Sequence, residues 1–193
     1  VALAYYLYPK TAWFQDRYAT FLLEGEQTRL TTAHEYFPTM NVFFRRTMFE
    51  QIGGFRTDLG MVGKTIAYGE DTEIMIRMRA MLPHEKIYYV PALRIYHLTR
   101  PEKFSWQWNI RRSFADGRYS FRLFGSNYIA SLPFEKVMLE FWREVLRLFY
   151  DMCLRVWRRD RVRYPFWQNY FYEIILLRVS RLGTLYEHLT GAK

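Results

Sequence analysis

The chain has 193 residues, half of them hydrophobic and a fifth aromatic, with a formal net charge of +9. That composition excludes a disordered chain, and the single cysteine, Cys153, excludes an intrachain disulfide or a cysteine metal cluster. No stretch reaches the roughly 18 uninterrupted apolar residues that a membrane-spanning helix needs.

The charge is uneven. Residues 1–93 carry ten basic and ten acidic side chains. Residues 94–122 carry Arg94, Arg100, Lys103, Arg111, Arg112, Arg118 and Arg122 against Glu102 and Asp116, and a second basic excess lies in the run Arg155–Arg163. Two basic zones suit an anionic ligand in one place and an anionic surface in another. No nucleic-acid motif accompanies them, and the neutral first 93 residues offer no continuous basic face, so nucleic acid is not an expected partner. The chain shows no signal peptide and opens at Val1 within an apolar run, which is expected of a fragment or a processed chain.

In chain order, Val1–Tyr8, closed by Pro9, reads as a buried strand. Thr11–Glu24 has helical spacing, with Trp13, Phe14, Tyr18, Phe21 and Leu22 on one face. Residues 25–32 are polar and read as a loop. Pro38–Phe44 reads as a short strand, and Arg45–Ile52 as a short helix stopped by Gly53-Gly54. Phe55–Tyr68 holds Gly60 and Gly63 with little periodicity and reads as a mobile loop. Glu70–Met81 predicts a helix, Ile87–Val90 and Leu93–His97 two strands, and Phe104–Phe124 a helix weakened at Gly117. From Phe134 to about Arg159, polar residues recur every three or four positions, which predicts one long amphipathic helix. Arg161–Pro165 breaks it, and Phe166–Leu189 predicts a second helix.

Gly69-Glu70-Asp71 carries the most chemistry: a glycine-rich loop delivers two carboxylates to a helix start. Such acids either complement the helix dipole and cap the first turn, or act as a general base toward an attacking hydroxyl. The surrounding order narrows this choice. Met40-Asn41-Val42-Phe43-Phe44-Arg45-Arg46 is followed by Phe49-Glu50-Gln51-Ile52-Gly53-Gly54-Phe55, then Gly69-Glu70-Asp71, Arg77, Ile87-Tyr88-Tyr89-Val90-Pro91 and His97. From about Pro38 to Phe124 this series resembles the C-terminal half of family-2 glycosyltransferases with the GT-A fold.

The resemblance implies an α/β fold: a partial GT-A, Rossmann-like nucleotide-diphospho-sugar transferase domain over residues 1–125, lacking its N-terminal half, followed by an amphipathic helical tail over residues 134–193. It implies Asp71 as catalytic base and Glu70 as its partner. It places Asn41 near the donor sugar, Arg77 as a support of the site, and His97 as a ligand of a divalent cation, magnesium or manganese. Arg100, Arg111, Arg112 and Arg118 form a second constellation that either answers the charge of a diphosphate leaving group or displays a solvated basic face. Gln107 and Arg111 are spaced differently from the QxxRW element of processive synthases, so a processive enzyme is not inferred.

The expected reaction is inverting transfer of a sugar from a nucleotide-sugar donor to a saccharide or lipid-linked acceptor, in surface polysaccharide or glycolipid synthesis. The expected location is cytoplasmic, peripheral at the inner face of the plasma membrane. No Asp-x-Asp occurs in the chain, so the donor-binding half is expected before Val1 and the chain alone is expected to be inactive. Two readings of the tail stay open: an anionic membrane surface, or packing on the catalytic domain or a partner. The alternative for the whole chain is a non-catalytic, truncated transferase-like module acting as a membrane-associated or scaffold protein.

Overall fold

The computed structural model describes residues 1–60, 66–125 and 132–191. The chain is α/β, with helix predominant and two small sheets. It divides into two compact units. The first holds Val1–Lys10, Gln15–Gly60 and Gly69–Arg100; the second holds Thr11–Phe14, residues 66–68 and residues 101–191. Among the described residues no helix is long and apolar enough to cross a membrane.

In the first unit, β1 (Ala2–Tyr5) pairs in parallel with β4 (Ile95–Leu98), and Ala4 stands opposite His97. The short β2 (Arg29–Leu30) pairs antiparallel with β3 (Tyr88–Tyr89). Helices α1 (Arg46–Ile52) and α2 (Glu70–Met81) fall where the sequence places them. Met48 and Ile52 of α1 bury against Ile74, Met75 and Met78 of α2, with Phe44, Phe49 and Ile87 packed around them. The 74–75–78 spacing turns one side of α2 inward, so burial of these side chains holds the helix where propensity alone would not.

Three expectations fail here. Val1–Tyr8 is not a buried strand throughout: β1 covers Ala2–Tyr5, and Tyr5, Leu7 and Tyr8 are exposed. Thr11–Glu24 is not a helix: it is irregular apart from a 3-10 turn at Asp16–Tyr18 and an antiparallel bridge from Phe21 to Ala2 of β1. Thr11–Phe14 packs with the second unit and Gln15 onward with the first, so the spaced aromatics serve two cores rather than one helix face. Pro38–Phe44 is not a strand either. It forms a 3-10 turn at Thr39–Asn41 and extended chain with no ladder partner. Of the expected loop Phe55–Tyr68, residues 55–60 and 66–68 contain no helix or strand, and residues 61–65 lie outside the described residues.

The second unit is helical. α3 (Trp106–Phe124) is capped by Ser105, whose side chain accepts from the Trp108 N–H. α4 (Phe134–Tyr150) runs into a π-turn at Asp151–Arg155. After the turn at 156–166 come α5 (Trp167–Tyr170), a second π-turn at Phe171–Ile175, and α6 (Leu176–Gly191). The helix expected to close the first domain packs with the tail helices instead.

Gly117 is not a weak point of α3. A Cβ there would lie 1.7 Å from the Ser180 carbonyl oxygen, and one at Gly183 would lie 2.1 Å from the Phe114 carbonyl oxygen. The two glycines let the backbones of α3 and α6 touch. Beside that crossing, Glu187 accepts from Arg118 at 2.6 Å and Arg122 at 2.5 Å. Burial alone would raise the Glu187 pKa; the Arg122 and Arg118 bonds outweigh it and hold the carboxyl below its usual range.

The amphipathic tail helix is turned differently from a simple inward-apolar pattern. Beside Val137, the side chains it buries are the carboxylates of Glu144 and, in the π-turn that follows, Asp151, 1% exposed each. Arg178 of α6 reaches both, with Nη1 2.8 Å from Glu144 and Nε donating to Asp151. Arg147 adds a bond to Glu144 at 3.3 Å. Two buried carboxylates demand such partners, so the polar stripe faces inward along part of the helix.

Candidate active site

Gly69 opens α2 in the left-handed region, φ 106°, a conformation glycine takes without strain. The cap position thus has no side chain, and the two acids sit just inside the helix. Asp71 is half-buried, and its Oδ1 accepts from the Thr72 N–H at 2.8 Å. The same oxygen lies 3.4 Å from the Thr72 hydroxyl. Among the described residues Oδ2 of Asp71 makes no hydrogen bond. One oxygen is therefore anchored to the helix start while the other is available to a proton donor. Glu70 lies over the Gly60 turn: a Cβ at Gly60 would stand 2.8 Å from the Glu70 carboxyl carbon. Only a glycine leaves that carboxylate its place.

Arg77, two turns along α2, ties the glycine turn to the same helix. Its Nη1 donates to the Ile52 carbonyl at 2.6 Å and its Nη2 to the Gly54 carbonyl at 2.8 Å. Nε and Nη2 also grip the Glu73 carboxylate at 3.0 and 2.8 Å. A planar guanidinium suits this double duty, filling orphan carbonyls at the C-terminus of α1 while forking onto a carboxylate. Gly53-Gly54, Arg77 and Glu70-Asp71 are thereby brought into one construction.

Asn41 has another use. Its amide donates to the Val1 and Leu93 carbonyls, each at 3.0 Å, joining the start of β1 to the turn before β4. Asn41 also lines a cavity of about 450 Å³ with Phe37, Met40, Met75, Met78 and Tyr89. Glu70, Asp71, Arg77 and His97 are not among the described residues that line it. His97 is half-buried within β4. Among the described residues no three His, Cys, Asp or Glu side chains gather as a metal-binding group. Arg100 is exposed just beyond β4.

Arg111 and Arg112 belong to the second unit, on α3. Arg111 is exposed. Arg112 donates to the Tyr172 hydroxyl at 3.3 Å and packs over the Trp108 ring at 5.8 Å. With Arg118 spent on Glu187, most of this basic segment has partners in its own unit.

Arg79 was not singled out by the sequence reading. It donates to the carbonyls of Thr32, Ala33 and Glu35 at 3.0, 3.1 and 2.6 Å and stacks over Tyr36. It organises the loop before α1. The only signal for it was the repeat of arginine two positions after Arg77, which does not reveal a distant carbonyl partner.

No family model, curated protein or solved structure matches the chain.

Proposed function

We propose that this chain carries the acceptor-side catalytic portion of an inverting glycosyltransferase that uses a nucleotide-sugar donor. The observation that carries the reading is the Asp71 carboxylate, anchored through Oδ1 at the start of α2 with Oδ2 unengaged among the described residues. The Arg77 fastening of the Gly53-Gly54 turn to the same helix supports it. So does the order of motifs along the chain, which resembles the GT-A family-2 pattern.

In this reading Oδ2 of Asp71 takes the proton from an acceptor hydroxyl as that oxygen bonds to the anomeric carbon. The bond from that carbon to the diphosphate breaks, the nucleoside diphosphate leaves, and the configuration inverts. A positioned base of this kind contributes about 10²–10⁴-fold to the rate. Glu70, over Gly60, shapes the loop that delivers Asp71. The acceptor is a saccharide or a lipid-linked saccharide. A divalent cation belongs to the same reading, with His97 the residue that would help hold it, and no step here runs through the metal.

The test is product analysis with the chain in its native full-length context. A panel of nucleotide sugars is offered with saccharide and lipid-linked acceptors, and the anomer formed is read by nuclear magnetic resonance. The expected product has the configuration opposite to the donor. Absence of transfer across the panel, or a retained configuration, contradicts the reading and favours the non-catalytic module.

A further inference from the structure

We propose that the outward side of α4, with the turn at 156–166, is a docking surface for an anionic lipid bilayer. Leu139, Trp142, Leu146 and Phe149 follow at three- and four-residue steps along α4 and share one side of the helix. Their exposures are 51%, 57%, 67% and 66%. A soluble helix ordinarily turns such residues to its core. Here the inward side is taken by Val137, Glu144 and Asp151, and the two carboxylates are held there by Arg178.

The surface continues past the helix. At the turn, Trp157 is 66% and Val162 94% exposed. The turn is built to hold them out. Arg159 donates to the carbonyls of Val156, Tyr164 and Pro165 at 3.1, 2.9 and 3.2 Å. The Asp160 carboxylate accepts from the Val162 and Arg163 N–H groups at 2.8 and 3.2 Å.

Charge selects the occupant. Arg158, Arg161 and Arg163 are exposed around Val162, and none pairs with a carboxylate among the described residues. Burial of Glu144 and Asp151 takes two carboxylates from this side, and the three arginines outnumber the exposed Asp160 at the turn, so the rim is basic. Two copies meeting on this surface would set basic rims near one another, whereas a bilayer takes tryptophan and apolar side chains below its headgroups and arginine at them. The binding needs no sugar chemistry, so its failure and that of the transferase reading are separate outcomes.

The test is co-sedimentation of the chain with vesicles of phosphatidylcholine alone and of phosphatidylcholine with an equal part of phosphatidylglycerol. Binding to the anionic vesicles is expected to exceed that to the neutral ones by about tenfold or more and to weaken with salt. Leu146→Glu, solvent-facing and checked for folding by circular dichroism, is expected to lose about tenfold in partition. The triple variant Arg158→Glu, Arg161→Glu, Arg163→Glu is expected to lose the preference for anionic lipid. No sedimentation with anionic vesicles, equal sedimentation with neutral ones, or unchanged binding in both variants overturns the proposal. Self-association that Leu146→Glu disperses, without vesicle binding, also overturns it and assigns the surface to a second copy.

Discussion

Asp71 and Arg77 commit their polar atoms in different ways. Asp71 gives one oxygen to the start of α2 and keeps the other. Arg77 is fully engaged: its nitrogens fill backbone carbonyls and a carboxylate, which makes it a fastening rather than a ligand for substrate. The acidic pair at a helix start was legible in the sequence because glycine, acid and apolar spacing are local signals. The Arg77 fastening was not, since nothing local tells that an arginine will meet the carbonyls of Ile52 and Gly54.

Glu35 yields a pH prediction at this same scale. Its bonds to Arg29, 2.5 and 2.8 Å, and to the Thr32 N–H, 2.7 Å, hold its carboxyl down at about 2. An unfolded glutamate titrates near about 4.3. The folded value is the lower one, so the contribution is full above the unfolded value and is lost as pH falls through the interval to about 2. Glu35→Gln should therefore lower the urea midpoint of the chain at neutral pH, with the gap to wild type closing as pH falls through that interval. A gap that persists undiminished at the acid end contradicts the assignment.

At the scale of elements, α1 and α2 were readable because each has a glycine at one end and an inward apolar stripe close in sequence. The expected helix over Thr11–Glu24 was not, because its aromatics are shared between two cores, a division that periodicity does not record. Gly117 was misjudged for a related reason: helix propensity marks glycine as weak, whereas its value here lies in what α6 needs across the crossing. Gly117→Ala would push a methyl group into the Ser180 carbonyl, and the backbone there has no rotamer by which to yield. The substitution is expected to cost about 2 kcal/mol or more in urea denaturation. Gly54→Ala, with open space around its Cβ, is expected to change stability by less than about 0.5 kcal/mol. Equal effects of the two would remove the close crossing as the reason for the glycine.

For the molecule as a whole, the sequence reading expected a domain ending near residue 125 and a separate tail, whereas Gly69–Arg100 belong to one compact unit and the described residues from Pro101 onward to the other. α3 joins the tail helices because its glycine and its arginines find their complements on α6. The uneven charge was visible in the sequence, but its sorting was not. Buried Glu144 and Asp151 draw Arg178 inward, while Arg158, Arg161 and Arg163 stand exposed at the turn. The inward Glu144 and the outward Trp142 lie on opposite sides of α4.

The proposed removal of a proton from an acceptor hydroxyl by Asp71 is read by comparing wild type with Asp71→Asn, measuring transfer turnover and donor binding on the same preparations. Turnover is predicted to fall about 10²–10⁴-fold while the donor dissociation constant stays unchanged. Turnover retained within a few-fold of wild type would contradict the claim.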